Sequence, residues 1–149
     1  MPGGAIAVAS DHAGFDLKEI LKRDLQEAGH DLLDLGTNST QSVDYPDFGT
    51  AMADVVASGK AERGVLVCGT GIGISIAANR NPRVRAAIVH DVTSARLSRL
   101  HNDANVVAFG QRLIGTETAR EALKVFLDTK FEGGRHLNRV AKLSKGCTK

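Results

Sequence analysis

The sequence predicts a three-layer α/β domain, in which helices cover both faces of a parallel β-sheet. Short runs of apolar residues alternate with longer segments whose apolar residues keep helical spacing, as in repeated βαβ units. The strand segments show little alternation between apolar and polar residues, which is typical of parallel strands buried on both faces. The 149 residues contain no internal repeat, low-complexity tract or linker, so we expect one domain over residues 1–149.

Five apolar segments are predicted as strands. Four of them contain β-branched Val or Ile, which favour extended backbone, whereas the second contains leucines. Each is followed by a polar or glycine-containing segment, which ends the strand. Their ranges are 5–9, 31–35, 65–68, 86–89 and 105–109.

Helices are predicted between the strands from apolar spacing and from start and stop signals. The first begins at Phe15 and ends at Gly29. The second begins after Asp47, whose side chain can cap it, and ends at Gly59. A third helix follows the glycine loop at 69–73, and a fourth runs from a cap at Thr93 or Ser94 to His101. The fifth covers residues 116–127, and the last begins near residue 135.

Composition excludes several classes of function. A net charge of +2, no Trp and one Tyr argue against a nucleic-acid partner, and the small charge also argues against a membrane surface. No apolar run approaches the ~20 residues of a membrane span. Two cysteines, Cys68 and Cys147, do not make a disulfide framework, so a cytoplasmic protein is expected.

The topology itself predicts where a ligand binds. In parallel α/β sheets, ligands bind beyond the carboxyl ends of the strands. That rule brings four segments to one edge: Ser10 to His12, Cys68 to Gly73, His90 with Asp91, and Gly110 to Arg112.

The segment from Cys68 to Gly73 combines a thiol with a glycine-rich turn at the start of a helix. The positive end of that helix favours a thiolate and bound anions. Ile74 stands where the dinucleotide-binding fingerprint has its third glycine, and no Lys-Ser or Lys-Thr pair of a Walker loop follows. The loop could also be only a tight turn, and Cys68 only a small buried apolar residue.

Other candidate residues also have plain structural alternatives. Asp11 and His12 are expected to bind a substrate, although they could be a helix cap and a loop residue. Arg135, His136 and Arg139, near the start of the last helix, oppose its dipole, and a bound phosphate dianion, held by the two arginines with His136 as a weaker candidate, would remove this conflict. They could instead form a solvated basic tail.

His101 could be present only because the negative end of its helix favours a histidine. The sequence contains no His, Cys or carboxylate residues at the spacing of a metal site, so no metal site is predicted.

Several segments together resemble the ribose-5-phosphate isomerase type B family, which includes related allose- and galactose-6-phosphate isomerases. They are 10–15 (SDHAGF), 44–46 (DYP), 68–75 (CGTGIGIS), 97–103 (LSRLHND), 108–110 (AFG) and 132–136 (EGGRH). The resemblance implies a Rossmann-like five-stranded parallel sheet and a homodimer, or a tetramer, with active sites between subunits. It also implies aldose–ketose isomerisation of a sugar phosphate without a metal or cofactor. Cys68, together with Ile72 in place of a glutamate, matches the cysteine branch of the family.

The resemblance further implies a role for each site residue. His101 assists ring opening with Asp11, Cys68 moves a proton between C2 and C1 through a cis-enediolate, and Thr70 relays a proton between O1 and O2. The other residues bind the substrate: amides of Gly69, Gly71, Gly73 and Ser75 hold the enediolate, Tyr45 and Asn102 orient hydroxyls, and His12, Arg112, Arg135 and Arg139 hold the phosphate. His101, Asn102 and Arg112 are expected to come from the neighbouring subunit.

Two alternative functions stay open at this point. One is an isomerase of a six-carbon sugar phosphate such as allose 6-phosphate. The other is a phosphometabolite-binding module without chemistry, which would leave Cys68 and His101 without roles.

Overall fold

The computed structural model describes residues 4–145 and has a five-stranded parallel sheet at its centre, in the strand order β2-β1-β3-β5-β4. Cys147 lies outside the described residues. All neighbouring strands run parallel, as the apolar strand pattern predicts. The strands are β1 (Ile6–Ser10), β2 (Leu32–Asp34), β3 (Arg63–Cys68), β4 (Ala86–Ile88) and β5 (Val106–Gly110).

Six α-helices complete the described part of the chain, and five of them cover the sheet. The helices are α1 (Phe15–Glu27), α2 (Tyr45–Ala57), α3 (Ile72–Asn79), α4 (Val92–Asn102), α5 (Thr116–Asp128) and α6 (His136–Leu143), and a 3₁₀ turn (His12–Gly14) precedes α1. Helices α1, α4 and α5 pack on one face, and α2 and α3 pack on the other. The α6 helix packs against α4. This is the predicted three-layer arrangement.

Alternate residues of each strand supply the two cores. In β1, Ile6 and Val8 pack toward α1 and α5, whereas Ala7 and Ala9 pack toward α2. Since a strand sends successive side chains to opposite faces, an almost wholly apolar strand requires a helical layer on each side. Cys68, the last residue of β3, belongs to the core beneath α2 and α3.

Two helix starts differ from the prediction. The second helix begins at Tyr45, with Asp44 at the N-cap position, so Asp47 lies in its first turn and does not cap it. Pro46 is accommodated because a first-turn residue has no amide partner within the helix. The cap of α4 is Asp91, and neither Thr93 nor Ser94 takes that place.

A buried lysine ties α1 to the segment that follows β2. Lys18 has a fully buried side chain, and its Nζ donates to Asp34 Oδ1 at 2.9 Å and to the Thr37 carbonyl at 2.7 Å. Burial alone would raise the pKa of Asp34, but hydrogen bonds from Lys22 and Lys18 outweigh it and hold the pKa below its ordinary value. The Asp34 carboxylate therefore stabilises the fold at neutral pH, and this contribution is lost as the pH falls through the lowered pKa.

We expect Asp34→Ala to lower the free energy of unfolding by about 1–3 kcal/mol, because the buried Lys18 ammonium loses its shortest carboxylate contact. Urea unfolding at neutral pH measures the change. Asp31→Ala, which removes a carboxylate from an exposed residue near the other end of β2, is the matched control. Equal unfolding midpoints for the two variants would contradict the role given to Asp34.

No helix within residues 4–145 combines the length and the apolar character needed to cross a bilayer.

Candidate active site

A cavity of about 490 Å³ opens beyond the carboxyl ends of β1 and β3. This is the edge of the sheet at which the topology predicts a ligand. The cavity is lined by Asp11, His12, Ala13, Tyr45, Cys68, Gly69, Thr70, Ile72, Gly73, Ile76 and Arg112. Eight of these were predicted as site residues from the sequence: Asp11, His12, Tyr45, Cys68, Gly69, Thr70, Gly73 and Arg112.

The Cys68 thiol lies at the floor of this cavity, and the residue is only 4% exposed. Its Sγ accepts a hydrogen bond from the Gly71 amide, with 3.1 Å between N and S. Gly71 has φ = +78°, a left-handed conformation that favours glycine, and it occupies the N-cap of α3. The loop thus turns a backbone N–H toward the sulfur.

The first turn of α3 supplies further donors beside the thiol. The first amides of a helix have no partner within the helix. Within residues 4–145, the Gly73 and Ile74 amides have no hydrogen-bond acceptor, whereas the Ile72 amide donates to Thr70 Oγ1 at 3.2 Å. Gly73 lines the cavity, so its free N–H at the positive end of the helix can stabilise a developing oxyanion, whereas Ile74 is fully buried and does not line the cavity.

Ser75 does not fit its predicted role as a substrate ligand. Its amide donates to the Gly71 carbonyl at 3.3 Å, and its Oγ donates to the Ile72 carbonyl at 2.8 Å. The residue is buried and does not line the cavity. Because Ser75 lies one turn into α3, its amide and its hydroxyl both hydrogen-bond to carbonyls of the preceding turn. The donors available to a ligand therefore come from residues before Ser75. Gly71 does not line the cavity either, and its amide donates to Cys68 Sγ.

Tyr45 packs directly on the glycine loop from the first turn of α2. A Cβ atom at Gly73 would clash with carbon atoms of the tyrosine ring, so only glycine permits this contact. The ring therefore forms one wall of the cavity, while the residue is still 43% exposed. A phenol held in this way can orient a polar group of a ligand.

Asp11 and His12 follow β1, and each has a structural contact as well as a place in the cavity. Asp11 Oδ1 accepts from the Gly14 amide at 3.0 Å, so the carboxylate caps the 3₁₀ turn. His12 Nδ1 accepts from the Val43 amide at 3.1 Å. In the neutral ring this contact leaves the proton on Nε2, which makes Nε2 a donor.

Arg112 lies in the cavity of its own chain. The Gln111 amide donates to the Cys68 carbonyl at 2.9 Å, and the Arg112 amide donates to the Gly69 carbonyl at 3.0 Å. These bonds continue the β3–β5 pairing and bring the Arg112 side chain beside the thiol loop. The structure thus differs from the expectation that Arg112 reaches this cavity from a neighbouring subunit.

The four remaining predicted residues lie away from the cavity, near the amino ends of the strands. The α4 helix returns from the carboxyl edge, so His101 and Asn102 at its end lie just before β5 begins. Since β5 is about 13 Å long at about 3.3 Å per residue, these two residues cannot reach Cys68 in the same chain. Arg135 and Arg139, at the start of α6, are exposed and do not line the cavity.

His101 forms a cluster with two residues from the segment leading into α6. The rings of His101 and His136 stack, with centroids 4.4 Å apart, and Glu132 Oε1 lies 4.0 and 3.9 Å from their Nε2 atoms. Burial lowers the pKa of His136 below its ordinary value, and electrostatic repulsion between its protonated ring and the neighbouring His101 and Arg135 acts in the same direction. The structure thus contains two separate groups of polar residues, one beyond the carboxyl ends of the strands and one near their amino ends.

The sequence matches the ribose/galactose isomerase family over residues 6–143, a stretch that includes both groups. The chain belongs to this family. Among its relatives, the ribose-5-phosphate isomerase B of Escherichia coli is 46% identical over 135 residues, which cover 91% of each chain. The D-erythrulose-4-phosphate isomerase of Pectobacterium atrosepticum is 41% identical over 140 residues, covering 93% of this chain and 92% of the relative.

A solved structure supports the fold assignment within the ribose/galactose isomerase family. The ribose-5-phosphate isomerase B of Clostridium thermocellum superposes with a TM-score of 0.93 at 46% identity, covering 94% of this chain and 95% of that one. The likeness over nearly the whole length confirms the predicted Rossmann-like α/β fold.

Sequence reasoning missed part of the cavity lining. Ala13 and Ile76 line the cavity, but apolar residues carry no chemical signal by which a sequence could single them out as ligand contacts. Conversely, Asp91 was expected at the ligand edge, and its Oδ1 instead accepts from the Ser94 amide at 2.6 Å as a helix cap. It follows β4, which lies at the margin of the sheet, so it does not reach the cavity.

Proposed function

We propose that this protein interconverts ribose 5-phosphate and ribulose 5-phosphate through a cis-enediolate. The observation that carries the proposal is the Cys68 thiol, which accepts a hydrogen bond from the Gly71 amide and faces a cavity beside unpaired helix amides. An isomerase of this kind needs one base that moves a proton between adjacent carbons, together with donors for the charge that develops on the oxygens. Membership of the ribose/galactose isomerase family supports the same reaction.

Cys68 acts as the carbon base. Its thiolate takes the proton from C2 of the open-chain aldose, and the electron pair of the broken C–H bond forms the C1–C2 double bond while the C1 carbonyl oxygen becomes negative. Thr70, which lines the cavity, then moves the proton of the O2 hydroxyl to O1, so that the negative charge passes to O2. The same thiol returns its proton to C1 as the C2–O2 bond becomes a carbonyl, and the product is the ketose with no net gain or loss of atoms.

The α3 amides stabilise the intermediate. The negative charge of the enediolate lies close to the first turn of α3, where the unpaired Gly73 N–H lines the cavity. Preorganised donors of this kind cost no reorganisation as the charge develops. Tyr45 and Asn102 orient the sugar hydroxyls.

The phosphate group is held by cations from both groups of residues. His12 Nε2 and the Arg112 guanidinium lie at the cavity of the same chain, and a guanidinium can bind a phosphate through two parallel hydrogen bonds. Arg135 and Arg139 approach from a second copy of the chain. Their exposed side chains would otherwise oppose the dipole of α6 without compensation.

The complete site forms between subunits of a homodimer, or of a tetramer built from such dimers. Ring opening needs an acid–base group near O5, and His101 has that role together with Asp11. Because His101 and Cys68 lie at opposite ends of the strands, His101 of one chain acts on the same substrate molecule as Cys68 of another chain. Such two-fold exchange is available in a symmetric dimer. A cytoplasmic location stays a prediction from composition.

A ketose-formation assay with three substrates tests the proposed function. We expect turnover with ribose 5-phosphate, slower turnover with allose 6-phosphate, and a kcat/KM for free ribose at least about 100-fold lower, because the charged phosphate contacts are lost. Faster turnover of the six-carbon substrate would reassign the enzyme within its family. Activity on free ribose alone would contradict the phosphate site, and binding without turnover of any sugar phosphate would indicate a binding module.

A further inference from the structure

We propose that His101, Glu132 and His136 form a binding site for a divalent transition-metal cation of the Zn²⁺ type. One nitrogen from each histidine and one carboxylate oxygen lie within 4.8 Å of one another. Two imidazoles and a carboxylate are a ligand set that suits Zn²⁺ better than Mg²⁺ or Ca²⁺, which prefer oxygen ligands. With three protein ligands, a fourth position stays open to water or to a substrate oxygen.

The spacing of the three ligand atoms is close to what a tetrahedral metal requires. With metal–ligand bonds of about 2.0–2.2 Å, neighbouring ligand atoms lie about 3.3–3.5 Å apart. Glu132 Oε1 is already 3.9 Å from His136 Nε2 and 4.0 Å from His101 Nε2. His101 and Glu132 have partly exposed side chains, so both can turn toward the buried His136, the rings leaving their stacked orientation as they do so.

His136 provides an independent reason to expect a ligand. Its side chain is only 6% exposed, and within residues 4–145 its Nε2 has no hydrogen-bond partner. A buried polar atom without a partner is uncommon in a native fold and needs an explanation. This nitrogen faces Glu132 at a distance too long for a hydrogen bond, and a metal ion placed between them would satisfy both atoms.

The backbone holds the two distant parts of the cluster together. The Glu132 amide donates to the Leu100 carbonyl at 3.2 Å, which ties Glu132 to the residue before His101. The His136 amide donates to the Gly133 carbonyl at 3.0 Å and begins α6. The site therefore needs only side-chain rotation, and the ordering cost of binding is small.

The consequence for activity rests on the proposed function. If His101 opens the sugar ring, a metal ion on its Nε2 removes the lone pair that the reaction uses. Zn²⁺ is then a reversible inhibitor of the isomerase, and removal of the metal by a chelator restores turnover. Binding of the metal itself does not depend on the reaction.

Metal binding is tested first, by calorimetric titration of the full chain with Zn²⁺ after treatment with a chelator. We expect Glu132→Gln to raise the dissociation constant for Zn²⁺ by about tenfold or more. Mutation of a residue that only hydrogen-bonds a metal ligand already lowers metal affinity by about 10–100-fold, and Glu132 is itself a proposed ligand. Glu121→Gln, which makes the same change on the exposed side of α5, is the matched control and should bind as the unaltered chain does. Equal affinities for the two variants would overturn the site.

Co²⁺ absorption identifies the ligands. A site of two imidazoles and a carboxylate has visible d–d bands without a sulfur-to-cobalt charge-transfer band. A charge-transfer band that disappears in Cys68→Ala or Cys147→Ala would show that the thiols take the metal, and would overturn the proposal. His136→Gln should weaken the d–d bands if the histidine is a ligand.

Inhibition is measured last, for each variant relative to its own rate without metal. Zn²⁺ should inhibit the unaltered chain and Glu121→Gln equally, and inhibit Glu132→Gln only at concentrations about tenfold higher or more. Equal inhibition of all three would show that Zn²⁺ acts elsewhere. Absence of turnover in the metal-free protein would count against the proposed function, and the titration would still decide the metal site.

Discussion

Replacing Cys68 with alanine is expected to lower kcat for ribose 5-phosphate by about 10²- to 10⁴-fold, the usual contribution of a positioned acid–base group. The sulfur is the group in the cavity that accepts a bond from the Gly71 amide, and alanine leaves no proton acceptor in its place. Substrate binding should be retained, because the groups that hold the phosphate and hydroxyls are unchanged. Steady-state kinetics, with calorimetric titration of ribose 5-phosphate, measure both quantities.

The second cysteine supplies a matched control. Cys147→Ala makes the same change at the other cysteine, to which the proposal gives no role, and should leave kcat unchanged. Arg139→Ala should mainly raise KM, because a phosphate ligand contributes to binding in the ground state as well as in the transition state. Alkylation of the unaltered chain should abolish turnover and be prevented by ribose 5-phosphate. Turnover near the normal rate in Cys68→Ala would overturn the assignment of the base.

Two inactive variants, Cys68→Ala and His101→Ala, are expected to regain activity when their subunits are exchanged. In a mixed dimer, one of the two sites combines the intact Cys68 of one chain with the intact His101 of the other. With equal amounts and random assortment, about one quarter of all sites are restored. Refolding the two variants together, followed by the ribose 5-phosphate assay, measures the recovery.

A chain that carries both substitutions tests the same arrangement in the opposite direction. Mixed with an equal amount of the unaltered chain, it should reduce the activity of that chain by about half, since every mixed dimer then has two defective sites. If one chain supplied both residues, the double variant would leave the unaltered chain fully active, and the two single variants would show no recovery. Either result would contradict the intersubunit site.

Much of the fold can be predicted from the sequence because apolar patterning is a local property that burial enforces. All five predicted strands are present, with ends within two residues of the prediction. Helix starts are harder to predict, because several neighbouring polar residues are each able to occupy the N-cap position. Asp91 rather than Ser94 caps α4, and the two form a reciprocal pair in which each side chain accepts from the other's backbone.

The cavity itself was predictable for a topological reason. The carboxyl ends of parallel strands meet at one edge, so Asp11, Cys68 and Arg112 come together whatever the details of packing. Ser75 shows the limit of this reasoning, because a polar residue near a loop can have its groups satisfied within its own helix.

The sequence by itself determined the parallel α/β architecture and the position of the thiol beside a helix N-terminus, since both follow from patterns over a few neighbouring residues. Only the tertiary structure decided that His101 lies near the amino ends of the strands, away from Cys68, and that His101 meets Glu132 and His136. These outcomes depend on the direction in which α4 returns across the sheet and on how the segment before α6 packs against it. Contacts between residues more than thirty positions apart are set by that packing, and no local pattern in the chain encodes them.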